Sequence, residues 1–177
     1  MPIRSAVAPR PGFDAPFSVF ETNTMDIDIS QARIPSLWRR IGALLYDSVL
    51  LLGVLMLALM LIVIPYGLLT GGSPDEQPLM RLLMQLYLLA VIIGFYVFFW
   101  THGGQTLGMR AWRFRVIRDD GETLSTRDAL ARVGWATLSL MPAGLGLIWC
   151  LFDRDGLAWH DRRSGTRVVM LKPKTRP

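Results

Sequence analysis

The chain is short of the residues on which most soluble chemistry is built. A single cysteine, Cys150, excludes an internal disulfide. The two histidines, His102 and His160, have no cysteine or third ligand beside them, so no metal site is expected. No serine stands in a nucleophile-elbow context, and Gly103-Gly104 lacks the following Lys-Ser/Thr of a phosphate cradle. Neither an enzyme nor a bound cofactor is therefore expected. Charge is also scarce: 19% of residues are charged against 51% hydrophobic, the skew of an integral membrane protein rather than a soluble one. The net charge of +5 lies in arginine blocks beside apolar runs instead of over a diffuse surface, which argues against a nucleic-acid partner. The first apolar run begins at Ile41 and has no small-residue cleavage site after it, so it is expected to remain as an anchor.

What is present is long and apolar. From Ile41 to Ile64 the only charged residue is Asp47. A helix over 41–64 spans roughly 36 Å, enough to cross a ~30 Å hydrocarbon core with some tilt. Trp38 and Tyr66 flank it as interfacial anchors, and Arg39 and Arg40 stand at its mouth. A carboxylate near the bilayer midplane costs about 2.5–3.5 kcal/mol, less toward the interface, so Asp47 demands an offsetting partner. A linker broken by Pro65, Gly67, Gly71, Gly72, Pro74 and Pro78 follows, and a second apolar helix is expected over 79–100. Arginines cluster before the first run (Arg33, Arg39, Arg40) and after the second (Arg110, Arg113, Arg115, Arg118, Arg127, Arg132), whereas the linker carries Asp75 and Glu76. Positive-inside counting then places the N-terminus in the cytoplasm of a multi-pass protein of the cell (inner) membrane.

Beyond the hairpin, Gly103, Gly104 and Gly108 favour a tight turn as the chain leaves the membrane. Trp112, Phe114 and Val116 alternate with Arg113 and Arg115 at strand period, with 166–171 as a candidate pairing partner. Ser125 or Thr126 caps a helix with Asp128 near its positive end and Arg132 a turn later. A third apolar run, 135–152, is interrupted by Pro142, Gly144 and Gly146. A single crossing there would strand the basic tail outside, so a segment that enters and returns is preferred. Residues 1–35, rich in proline and poor in apolar groups, are expected to form a disordered cytoplasmic arm, and 172–177 a basic tail. The expected fold is an all-α membrane protein: a transmembrane helical hairpin, a third Pro/Gly-broken re-entrant segment, and short cytoplasmic β-strands.

Three stretches resemble one family. Arg40 followed by Asp47 in the first helix resembles the opening signature of the RDD family of small bacterial membrane proteins. Gly104-Gln105-Thr106-Leu107-Gly108-Met109-Arg110, with Phe114-Arg115-Val116-Ile117 downstream, is similar to that family's cytoplasmic loop, although Met109 stands where a lysine is frequent. Leu151 to Val169 is similar to its closing signature. The resemblance covers about residues 36–171. The family is named for one arginine and two aspartates, which carry over to Arg40, Asp47 and either Asp161 or Asp153. It implies a multi-helix domain proposed to transport unknown ligands, with some members linked to cation/proton exchange.

Two functions stay open at this level. Asp47 can bind a cation or proton in a transporter component, or Arg40, Asp47 and Asp161, with Asp153 and His160 nearby, can be a polar staple in a membrane assembly partner. In either case Asp47 is expected to accept hydrogen bonds from the Gly103–Gly108 turn, with Gly104, Gln105, Thr106 and Gly108 as its candidate residues, or from the Trp159–Gly165 segment, and Arg40 to pair with Asp161. The expected partners are the bilayer, with anionic lipid at the cytoplasmic face, and a homo-oligomer or other membrane protein, since two helices and a broken third enclose little space alone.

Overall fold

The computed structural model describes residues 33–142 and 144–171. Two long helices dominate, α1 over Leu37–Thr70 and α2 over Pro78–Thr101, joined through a 3₁₀ turn at Pro74–Glu76. Of their most apolar stretches only 6% and 0% of residues are buried inside the protein. Side chains such as Leu52, Leu57, Leu61 and Leu86 point outward, the reverse of a soluble hairpin, and call for lipid as surroundings.

Both helices overrun the expected bounds, and one expectation fails. Pro65 does not end the first helix. It lies inside α1, which continues to Gly71, a left-handed residue whose N–H donates to the Gly67 carbonyl at 2.9 Å. A proline removes one donor, whereas an open chain in hydrocarbon would leave many backbone groups without partners, so the helix carries on through it. At 34 residues α1 is roughly 51 Å long at 1.5 Å per residue, and it outreaches the hydrocarbon core at its ends.

The chain leaving α2 forms a short helix, α3 (Leu107–Ala111), where only a turn was expected. Thr106 creates it: its hydroxyl accepts from the Met109 amide at 3.2 Å as an N-cap. Strand β1 (Phe114–Arg118) follows and pairs antiparallel with β2 (Thr166–Met170), Phe114 opposite Met170 and Val116 opposite Val168. Between the strands lie α4 (Thr126–Leu140), α5 (Leu145–Ile148), a 3₁₀ turn at Trp149–Leu151, and α6 (Trp159–Arg163). Ser125 is the cap of α4, in a reciprocal box with Asp128. The third apolar run is broken at Pro142 as its sequence required, its two arms meeting at 104°.

The packed core is not at mid-membrane. Ala43, Trp100, Phe114, Val116, Leu124, Ala129 and Val168 cluster where the start of α1, the end of α2 and the small sheet converge. Arg33 and Ile34 belong to this body as well. The Met170 amide donates to the Arg33 carbonyl at 2.8 Å, and Ile34 lies over Gly156. Residues 33–35, which the expected arm over 1–35 included, are thus joined to this body. The expectations for 1–32 and 172–177 fall outside the described residues.

Candidate functional site: two buried aspartates beside one cavity

On α1 the spacing of Arg40, Ala43 and Asp47 sets all three on one face, and all three are buried. The small side chain of Ala43 leaves room for the loop between α2 and β1 to approach. Asp47 accepts two hydrogen bonds from it: the Thr106 hydroxyl donates to Oδ2 at 2.5 Å, and the Gly108 amide donates to Oδ1 at 2.8 Å. A side chain at 108 would collide with the Ala43 carbonyl and come within 2.9 Å of the Asp47 carboxyl, which explains the glycine. Gly104 adopts φ 70°, and its carbonyl accepts from the Val116 amide at 2.7 Å. Gln105 donates to the Phe114 carbonyl at 2.8 Å. The four loop residues thus tie β1 to the turn and the turn to Asp47.

Asp161, fully buried on α6, is held very differently. Arg40 Nη1 donates to Oδ2 at 2.9 Å, and the Ala158 amide donates to the same oxygen at 3.0 Å. Arg132 Nη2 sits 2.6 Å from Oδ1, an ion pair without the alignment of a directed hydrogen bond. Each guanidinium has further anchors. Arg40 Nη2 donates to the Gly156 carbonyl at 2.8 Å, and Arg132 donates to Thr166 Oγ1 while lying 5.2 Å from the Trp100 ring centroid. Burial works to raise the Asp161 carboxyl pKa, but Arg132, His160, Arg40 and the Ala158 amide together outweigh it and bring it to about 2.

His160 lies 3.5 Å from Asp161 and bonds Ser139 Oγ through Nδ1 at 3.2 Å. Burial and then Arg132 push its pKa down to about 4, so it is uncharged at neutral pH and the two arginines neutralise Asp161.

Asp153 stands apart from this set. It takes the Arg162 guanidinium at 2.7 Å and the amides of Leu157 and Asp155 at 2.9 and 3.2 Å, closing its own loop. Of the two candidates for the third signature position, Asp161 is the one in contact with Arg40. His102, the residue that closes α2, stacks on Phe98 with ring centroids 4.5 Å apart and does not line the cavity. Arg132, Thr166 and Ser139 are buried members that sequence reasoning missed as site residues. For Arg132 a signal existed, because it shares a helix face with Ala129, Val133 and Ala136, where an arginine must find a partner.

Arg40, Asp47, Arg132 and His160 line one cavity of about 160 Å³ between α1, α2 and α4. Its remaining walls are mostly apolar, among them Ile92, Leu140 and Leu147, with Tyr96 on the α2 side. No group of three or more metal-ligating side chains occurs among the described residues.

The model of the RDD family matches residues 34–165, three-quarters of the chain, including Arg40, Asp47, Arg132, His160 and Asp161. The chain belongs to the RDD family. No curated protein and no solved structure matches it. The family's arginine and two aspartates are therefore not one triad in this structure. Arg40 and Asp161 are in contact, whereas Asp47 is held by neutral donors on the same cavity.

Proposed function

We propose that this RDD-family membrane protein is a transporter component in which Asp47 takes up and releases a cation or proton at the cavity. One observation carries the reading. Among the described residues, Asp47 is a buried carboxylate with no cation within ion-pair distance, while Asp161 beside it has two. A fully buried charge is stable only when paired and hydrogen-bonded, and two neutral donors meet half of that requirement. A mobile cation or proton supplies the rest. The donors themselves, a hydroxyl that can rotate and a loop amide, tolerate exchange at the carboxyl better than a locked ion pair does.

The orientation proposed with it places the Arg39–Arg40 end of α1, and with it Arg40 at the cavity wall, on the cytoplasmic side of a cell (inner) membrane. A homo-oligomer would complete the path, since the outward faces of α1 and α2 are unpaired within one chain. A second reading, a non-transporting assembly partner in which the polar residues only fix the fold, is favoured by the way Asp47 clamps Thr106 and Gly108. Proteoliposomes loaded with a pH dye and given inward Na⁺, K⁺ or Ca²⁺ gradients separate the two. Cation-driven proton movement that falls to liposome background in Asp47→Asn, at matched incorporation, supports transport. Absence of movement from the native protein with every cation removes it.

A further inference from the structure

We infer that the broken third segment never crosses the bilayer, and that its exposed apolar face is a lipid-binding surface seated shallowly in the leaflet at the Arg39–Arg40 end. The inference does not depend on transport. It starts from the sheet. β1 precedes the segment and β2 follows it, and the two strands are hydrogen-bonded residue by residue from Phe114–Met170 to Arg118–Thr166. Paired strands lie about 5 Å apart, so both are on one side of a ~30 Å hydrocarbon core. The chain between them must make an even number of crossings. Other ties fix the same side: the Arg118 guanidinium approaches Asp128 at the start of α4, and Arg40 holds Gly156 beyond the 3₁₀ turn. With α4 only 15 residues long and the remainder bent away at 104°, the segment has too little helix for two crossings.

The bend leaves two unlike faces. Inward, Gly146 packs so tightly on Ser139 that a side chain there would overlap it, and Leu147 reaches the cavity. Outward, Met141 and Phe152 are 75% and 78% exposed, joined by Leu145, Trp149 and Leu151. Between Trp135 and Phe152 there is no charged residue; just beyond, Arg162 pairs with Asp153 and Asp155, and Arg154 and Arg163 stand as the further cations of that border. Apolar and aromatic groups bordered by arginines match the boundary between acyl chains and anionic headgroups, where amphipathic elements sit about 5–10 Å deep. α4, which carries the segment, packs against α2 of the hairpin that already stands in that leaflet, so lipid rather than a soluble partner is the occupant of the exposed face.

The test uses the full chain in a Cys150→Ser background, with single cysteines at Glu122, Arg154 or Phe152. An impermeant maleimide should modify Glu122→Cys and Arg154→Cys from the same membrane side. Modification from opposite sides would overturn the inference. A spin label on Phe152→Cys, in vesicles of mixed zwitterionic and anionic lipid, should collide with oxygen more than with a water-soluble nickel chelate, at a depth of one headgroup layer. Strong nickel access, a midplane depth, or shielding from both agents by a second copy would each contradict it. Cys150 itself, labelled in the otherwise native chain, gives the same readout if Phe152→Cys folds poorly.

Discussion

The two buried aspartates share a residue type, and Arg40 and Arg132, which pair with Asp161, line the cavity that Asp47 also lines, yet the environments of the two are opposites. Asp161 is surrounded by two guanidiniums, an amide and a neutral imidazole, and its position is over-determined by Arg40 and Arg132, which are themselves bonded to Gly156 and Thr166. Asp47 has a hydroxyl and a loop amide. Burial alone therefore does not assign a role to a membrane carboxylate. The cations around each separate the two: Asp161 ties α1, α4 and α6 together through two guanidiniums, whereas among the described residues Asp47 has none within ion-pair distance.

The largest effect should come from opening the saturated site. Asp161→Asn leaves two buried guanidiniums without their counter-charge, and removing one partner of a buried ion pair costs about 3–5 kcal/mol. Detergent-solubilised protein should lose most of its folded yield, as size-exclusion chromatography after heating would report. Gly108→Ala comes next. Overlap with the Ala43 carbonyl and the Asp47 carboxyl forces the loop away, at about 1–3 kcal/mol, and should lower the melting temperature measurably. Asp47→Asn should cost less than Asp161→Asn, about 1–2 kcal/mol, because an amide keeps an acceptor for one of the two donors and leaves no counter-charge stranded. Equal losses in the two asparagine variants would erase the distinction between the sites.

His160 gives a pH signature for the saturated site. Its folded pKa of about 4 lies below its ordinary 6.5, so the unfolded chain binds more protons between those values and stability rises with pH across that window. Acidification from pH 7 to 4 should remove up to about 3 kcal/mol through this residue, at 1.36 kcal/mol per pH unit. His160→Gln should flatten the melting-temperature profile there; an unchanged profile would show that another group sets it. Smallest of all is Arg162→Ala. That guanidinium is half exposed and pairs with the exposed Asp155 and with Asp153, which is largely buried but keeps the Leu157 and Asp155 amides without it, so the loss should stay below about 1 kcal/mol in the same melting assay.

Much of this architecture was legible in the residues, for physical reasons that differ by element. The hairpin follows from apolar runs too long for a soluble core. The break at Pro142 follows from a missing backbone donor among glycines. Arg40 and Asp161 could be matched only through the family resemblance, which left Asp153 as an alternative partner. Pro65 misled because local propensity marks it as a stop, while the cost of exposed backbone in lipid outweighs one lost hydrogen bond. Arg132 was passed over because it reads locally as the residue one turn after Asp128 on α4, and its partners Asp161 and Thr166 come from elements distant in sequence. The choice between Asp153 and Asp161 depended on the same kind of contact.

Infrared difference spectroscopy of the carboxyl groups, recorded on adding a cation at fixed pH to native protein and to Asp47→Asn, tests the contrast most directly. The account predicts a cation-dependent carboxyl change in the native protein that disappears in Asp47→Asn, with the Asp161 contribution constant throughout. A change that persists without Asp47, or no cation-dependent carboxyl signal in the native protein, would contradict it.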